Sequence, residues 1–252
     1  MKVIEATWEV RNLGCRAFEV TLDKKDCRAV EDVVAMFGDS RFEQSYVTIK
    51  MPVGELSALH ALEDNGFRFL EAQLLTKYDL AQYVTPKALE KLILPVSVRE
   101  VPRDAKTWNA IANMITPGMF KTDRISLDPL FGVEIGCQRY RNWMLDLVDR
   151  EDAHLFLFSD PDEENNVYGF TLDRLDETTG TLYGYLGGIF PSSENPGIGI
   201  SMYDASFRND IARGARILES GLSSNNPAVV ALDTALGIGI RKMLYILRRK
   251  FP

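Results

Sequence analysis

The stretch Tyr183-Gly184-Tyr185-Leu186-Gly187-Gly188-Ile189-Phe190-Pro191-Ser192-Ser193-Glu194-Asn195-Pro196-Gly197-Ile198-Gly199-Ile200-Ser201 decides how this chain folds. Its first eight residues read as a strand, Pro191 to Pro196 as a loop, and Gly197-Ile198-Gly199 as the opening of a helix that runs to about Ala212. A strand that passes through a glycine loop into a helix N-terminus exposes several backbone N–H groups. Together with the helix dipole, those donors favour a pyrophosphate. Gly197 and Gly199 let the backbone approach such a group with no Cβ in the way. Gly187 and Gly188 are costly inside a strand and mark the close approach of another extended chain, such as a pantetheine arm. A simple bulge and turn would use the same glycines, so the short motif alone does not decide the matter.

Two other nucleotide sites fit less well. A phosphate-binding P-loop needs G-x-x-x-x-G-K-[ST], and the chain has no such string. A dinucleotide fingerprint needs a third glycine where Met202 stands. Glu219 falls where a ribose-binding acid would sit, yet the detour from Pro191 to Pro196 spoils the tight strand-to-helix turn.

Working outward, His154 to Phe158, Val167 to Leu175 and Thr181 to Phe190 read as three successive strands, the last two joined through Asp176-Glu177-Thr178-Thr179-Gly180. Before them come a strand over Val96 to Val101, a helix opened by Pro102-Arg103-Asp104, and a helix over Val133 to Val148. After the glycine corner, Ala215 to Leu218 forms a short strand. Asn225-Asn226-Pro227 then starts a helix ending at Leu236-Gly237, and Ile238 to Leu247 forms a last strand. The first part of the chain reads as a β-α-β-α-β unit: strands over Ala17 to Leu22, Tyr46 to Met51 and Phe67 to Leu75, with helices capped by Asp26 and begun near Glu55. Pro86 and Pro95 break the pattern, which places a boundary there and divides the chain into units 1–90 and 91–252. Leu62-Glu63-Asp64-Asn65-Gly66-Phe67 ends a helix and begins a strand much as Ala235-Leu236-Gly237-Ile238 does. That echo is either a partial repeat or the ordinary use of glycine after a helix.

The net charge of -7 and a pI near 5.0 exclude a general nucleic-acid binder, which carries a basic face. Cys15, Cys27 and Cys137 are odd in number and lack metal-ligand spacing, so they read as reduced thiols. No apolar run approaches membrane length, and the opening residues lack a signal-peptide core, so the expectation is a soluble cytoplasmic protein. His60 and His154 form neither a triad nor a cluster, and no metal is expected.

The glycine corner resembles the acetyl-CoA motif of the GNAT superfamily, in which a V-x-P strand end leads into Q/R-x-x-G-x-G/A. Here Ile189-Phe190-Pro191 is the strand end and Glu194-Asn195-Pro196-Gly197-Ile198-Gly199 the loop, with Glu194 replacing the usual Arg or Gln. Downstream, Asn226-Pro227-Ala228-Val229-Val230-Ala231-Leu232-Asp233-Thr234-Ala235-Leu236-Gly237-Ile238 follows the superfamily frame N-x-x-A-x-x-L-Y-x-x-L-G-F. Asp123-Arg124-Ile125-Ser126-Leu127-Asp128-Pro129, Tyr140-Arg141-Asn142-Trp143 and the N-terminal unit look similar to the dTDP-fucosamine acetyltransferase branch, which acetylates an amino group on a nucleotide-linked sugar.

The resemblance implies an α/β (α+β) fold: a mixed, largely antiparallel sheet flanked by helices, preceded by a smaller N-terminal α/β half-domain. It implies acetyl-CoA as cofactor and direct attack of a small-molecule amine on the thioester; a homodimer is compatible with it. Ile189 would polarise the carbonyl, Pro191 would end the strand, and Gly197, Ile198, Gly199, Ile200 and Ser201 would hold the pyrophosphate. Asn226 would contact the pantetheine. Asp233 stands where the superfamily often has the tyrosine that protonates the thiolate, and an ordinary aspartate is ionised at neutral pH. Three readings stay open: Asp233 is an acid tuned by burial, Tyr203 or Tyr185 donates instead, or the module is catalytically silent and binds acyl-CoA or a partner. A solvated helix residue is the plainer reading of Asp233. On the acceptor side, Asp123, Arg124, Asp128 and Tyr185 are the candidates for sugar or phosphate, although Asp128-Pro129 could also simply start the next helix.

Overall fold

The computed structural model describes residues 1–193 and 197–252. Glu194, with Asn195 and Pro196, lies outside the described residues. In the first half, the strands are β1 (Lys2–Glu5), β2 (Arg16–Thr21), β3 (Ser45–Pro52) and β4 (Arg68–Asp79), and the helices are α1 (Val10–Leu13), α2 (Lys24–Arg28), α3 (Val30–Met36) and α4 (Leu56–Asp64). In the second half, β5 (Ser97–Glu100), α5 (Ala105–Met114), α6 (Arg124–Leu127) and α7 (Gly132–Asp146) come first. Next are β6 (Ala153–Ser159), β7 (Val167–Asp176), β8 (Thr181–Ile189) and α8 (Ile198–Ala212), then β9 (Ile217–Ser223), α9 (Pro227–Ala235) and β10 (Gly239–Lys250).

Among the described residues ten strands join in one sheet, ordered β1-β2-β3-β10-β4-β9-β8-β7-β6-β5. It is the mixed, largely antiparallel sheet flanked by helices that the resemblance implied. Only β2–β3 and β8–β9 run parallel. About the central β10–β4 pair the order reads the same both ways: an antiparallel neighbour, then a parallel pair. The echo around Gly66 and Gly237 is therefore part of a strand-helix-strand-helix-strand unit used twice. The units exchange their last strands: β10 pairs with β3, and β4 pairs with β9. One sheet thus crosses residue 90.

The first unit is sealed. Phe18, Val20, Val47, Ile49, Met51, Leu62, Phe67 and Leu247 form one buried cluster beneath α2, α3 and α4. Burying each of these side chains contributes about 1.5–3 kcal/mol before conformational entropy is set against it. Asp26 does not cap this first helix, contrary to expectation. Asp23 does, accepting from Lys25 and Asp26 N–H, while the Asp26 carboxylate accepts from Asp23 N–H in a capping box. The segment after β4 runs as two single turns, Leu80–Gln82 and Glu90–Leu92, and straps across α8. Tyr83 donates to Asp204 at 2.6 Å, and Leu94 N–H donates to Ser201 Oγ at 2.8 Å.

Candidate functional site

The parallel strands β8 and β9 pair only at Thr181–Ile217, Leu182–Leu218 and Tyr183–Glu219, then part. A register shift on the other side of β8 sets Asp173 opposite Gly184 and Leu172 opposite Leu186, leaving Tyr185 as an extra residue. A bulge of this kind bends a strand and ends its pairing. Phe190 N–H donates to Tyr168 O at 2.8 Å, on the β7 side. Strand alternation then turns the Ile189 N–H the other way, toward the split. Although β9 is a central strand of the sheet, none of its residues is buried.

The N-terminus of α8 closes one end of this opening. Gly197 sits at φ 100°, and a Cβ there would lie 2.7 Å from the Leu92 carbonyl oxygen, so only glycine fits. The first helical bond runs from Ser201 N–H to Gly197 O, and the N–H groups of Ile198, Gly199 and Ile200 have no partner within the helix. A Cβ on Gly199 would come within 3.6 Å of the Ile189 side chain, which sets the helix end directly beside the strand end. Pro191 and Ser192, both exposed, begin a single turn that ends at Ser193. Ser201 departs from its expected role. It is 1 % exposed, and its hydroxyl donates to Gly197 O while accepting from Leu94 N–H, which leaves it nothing for a phosphate. Gly188 departs as well: Met119 and Phe120 pack where its Cβ would be, so its smallness serves internal packing, whereas Gly187 is exposed.

Asn226 caps α9, its side-chain oxygen accepting from Val229 N–H at 3.2 Å. Only one residue of α9 is buried, and it is Asp233. Asp233 is thus no solvated helix residue. Among the described residues its Oδ1 has no hydrogen-bond partner. Burial raises its pKa to about 6, against a smaller opposing effect of the Tyr203 hydroxyl. The Tyr203 hydroxyl on α8 donates to this carboxylate, and burial with the nearby acid drives its phenol well above the usual range. Two catalytic candidates that are 30 positions apart in sequence are therefore neighbours. Val229, Val230 and Leu232 stay half-exposed on the helix that carries Asp233, as for a helix flanking a slender, partly apolar ligand.

On the opposite face, α6 and α7 cover the split. Asp123 caps α6, accepting from Ile125 and Ser126 N–H and from the Tyr140 hydroxyl. Arg124 pairs with Glu19 at 3.1 Å. Asp128 is corrected: it is fully buried, accepts from Tyr46 and Leu130, and lies 2.8 Å from Arg248, so it ties the units together and cannot meet a substrate. Tyr185, the bulge residue, lies half-buried near Trp143, with ring centroids 6.4 Å apart.

Solved structures share this fold. A GCN5-related N-acetyltransferase from Sphaerobacter thermophilus superposes with a TM-score of 0.61 at 14% identity, over 99% of this chain and 75% of its own. The fold is that of the GCN5-related N-acetyltransferases. A functionally unknown conserved protein from Staphylococcus epidermidis shares it at a TM-score of 0.59 and 12% identity, over 94% of this chain and 85% of its own. So does a GCN5-related glucosamine N-acetyltransferase region of a fungal multi-domain GH3 beta-N-acetylglucosaminidase, at 0.58 and 12%, over 98% of this chain but 30% of that one. No protein-family model matches the sequence, and no curated protein sequence matches it.

A cavity of about 730 Å³ opens at the other unit, beside Thr21, Leu22, Pro52 and Val53 at the ends of β2 and β3. Among the described residues no group of His, Cys, Asp and Glu is placed to hold a metal, and no helix is long and apolar enough to cross a membrane. Sequence reasoning missed Glu71 on β4. It is 5 % exposed, yet its Oε2 has no partner among the described residues. The strand was legible, but no pattern within it marks that the sheet carries it to the split.

Proposed function

We propose that this protein is an acetyl-CoA-dependent N-acetyltransferase acting on the primary amine of a small molecule, organised as the two units 1–90 and 91–252 with exchanged strands. The observation that carries this is the parting of β8 from β9 beside a glycine-led helix N-terminus, with a buried acid, bonded to the Tyr203 hydroxyl, on the helix after β9. The residues suit the cofactor: backbone donors of Ile198, Gly199 and Ile200 for its diphosphate, a glycine corner without Cβ, and half-exposed Val229, Val230 and Leu232 along its arm. When bound, acetyl-CoA supplies an activated acyl group as a thioester. The Ile189 N–H, turned into the split, hydrogen-bonds the oxygen on which charge develops; such a donor lowers a barrier by about 2.7–4 kcal/mol. Asp233, held near pKa 6, keeps a protonated fraction of about a tenth at pH 7 and returns a proton to the departing sulfur. Tyr203, kept protonated by its surroundings, orients that carboxyl. Asn226 keeps its side-chain N–H2 for the cofactor arm while its oxygen caps α9. The finer reading of the acceptor, a nucleotide-linked amino sugar of the dTDP-fucosamine kind, is supported by the sequence resemblance and by the likeness in fold to a glucosamine N-acetyltransferase region.

Coenzyme A thiol release measured with acetyl-CoA across a panel of amino sugars and their nucleotide conjugates tests this. Turnover that Asp233→Asn lowers at least a hundredfold is the expected result. A larger thermal shift with NAD than with acetyl-CoA would refute the cofactor. A second reading, a silent module that binds acyl-CoA without turnover, is favoured by the strap: Leu92 O lies against Gly197, and Leu94 holds Ser201. Under that reading acetyl-CoA shifts the melting temperature, yet thiol is never released.

A further inference from the structure

A network of charges lies beneath α6 and α7. Glu9 pairs with Arg139 at 2.7 Å, Glu19 with Lys50 at 2.9 Å and with Arg124 at 3.1 Å, and Asp123 lies 3.8 Å from Arg139 and takes the Tyr140 hydroxyl. Each of these acids has a cation. Glu71 is the exception, although it is among the most buried carboxylates of the face. Its neighbours are the Ser223 hydroxyl at the end of β9, Arg124 and Asp123 of α6, and Arg139 of α7, and both arginines are already engaged by other acids. A buried carboxylate with a bare oxygen and no cation costs several kcal/mol of desolvation, so a fold keeps one where something else supplies the charge.

The placement says what that is. Gln73 pairs with Ser223 and Lys77 with Glu219, so alternation sets Glu71, Gln73 and Ser223 on the face of the sheet that α6 and α7 cover. Tyr185 points to that face from the opposite arm of the split, next to Trp143. Tyr140 stacks on Phe120 at 3.9 Å and lies 6.1 Å from Trp143, continuing a half-buried aromatic wall. Asp123, bonded to Tyr140 and close to Glu71, links wall and carboxylate.

We infer that Glu71 receives the acceptor amine as its ammonium and removes a proton from it, the aromatic wall covering the flat face of the carbon skeleton that bears the amine. The acceptor class is a primary ammonium on a ring such as a pyranose. The inference rests on the acetyltransferase reading above and assigns its base to the N-terminal unit. The ammonium gives one proton to the Glu71 carboxylate, leaving a neutral amine and a carboxylic acid. The nitrogen lone pair forms the N–C bond to the thioester carbonyl, and the C–S bond breaks with its electrons on sulfur. The proton from Asp233 completes the thiol, and the second amine proton leaves the new amide nitrogen to recharge Asp233. Glu71 returns its proton to water. Burial, the largest influence on Glu71, raises its pKa and so makes it a stronger base for this step.

Glu71→Gln keeps the shape and removes the base. With glucosamine as probe, kcat/KM is expected to fall by about 10²–10⁴-fold, the rising limb of its pH profile is expected to vanish, and the thermal shift with acetyl-CoA is expected to match wild type. Glu71→Asp should recover part of the rate with a displaced limb. An unchanged rate and pH profile in Glu71→Gln would overturn the inference. If the wild type releases no thiol but acetyl-CoA shifts its melting, glucosamine is titrated against tryptophan fluorescence at saturating coenzyme A. Weaker binding in Glu71→Gln supports the site, and equal or absent binding in both proteins overturns it. No shift with acetyl-CoA would instead defeat the underlying reading.

Discussion

The two units use one plan and put it to opposite ends. In the first, β2 and β3 stay paired from Arg16–Ser45 to Thr21–Lys50, and Leu22 N–H continues the ladder to Lys50 O. In the second, the equivalent strands separate after three pairs. Aligning Gly66 with Gly237 matches Leu62, 0 % exposed in the core, with Asp233, the one buried residue of α9. The closed unit places a hydrocarbon where the open one places an acid. The glycine-led plan therefore does not itself make a binding site. The bulge at Tyr185 and the polar residue at the helix position are what set the second unit apart.

Exchanging those two residues breaks the comparison most severely. Leu62→Asp puts an uncompensated carboxylate in a sealed core and should cost more than about 4 kcal/mol, enough to unfold the protein in a urea titration. Asp233→Leu should keep or raise stability, because it removes a buried acid with a bare oxygen, while thiol release is lost.

The next effect is pH-dependent. The folded pKa of Asp233, about 6, lies above its ordinary 3.8, so the native state holds a proton that the unfolded chain has released. Stability from this group is therefore greatest below about pH 4 and is lost as pH rises toward 6, by about 1.4 kcal/mol per unit and about 3 kcal/mol in all. Asp233→Asn should lack that slope. The difference between the two proteins in melting temperature isolates it from Asp210, whose burial beside Asp173 raises it to about 7.

Gly197→Ala sharpens the corner. Positive φ and the Leu92 oxygen together predict about 1–3 kcal/mol of lost stability by thermal melting, with a raised KM for acetyl-CoA. At the small end, Arg241→Ala removes an exposed pair with Glu219 and should change stability by less than about 1 kcal/mol, the residual falling further in salt.

How far the sequence foretold this depends on distance along the chain. The strands and helices around the split were legible because alternation, caps and glycines are local signals, and Asp233 was singled out by its frame. Its burial was not legible, since it depends on Tyr203 reaching over from α8. Asp128 was misassigned because an Asp-Pro pair looks alike whether it faces ligand or, as here, Tyr46 and Arg248 of distant strands. The four-residue β1 lies at the sheet edge with no buried residue and gave no alternating pattern. Glu71 was missed for the same reason that the exchange of β4 and β10 was: nothing within a strand announces its neighbours.

That exchange also governs how the polypeptide reaches its native state. Pro52 pairs with Leu244, so neither half of the sheet can close until a segment nearly two hundred positions downstream has left the ribosome. Loop closure over such a span is slow, and the waiting edges of β3 and β4 present bare ladders to other nascent chains. Production at low temperature or with a strand-shielding chaperone should therefore raise the yield of soluble material more than any single stabilising substitution.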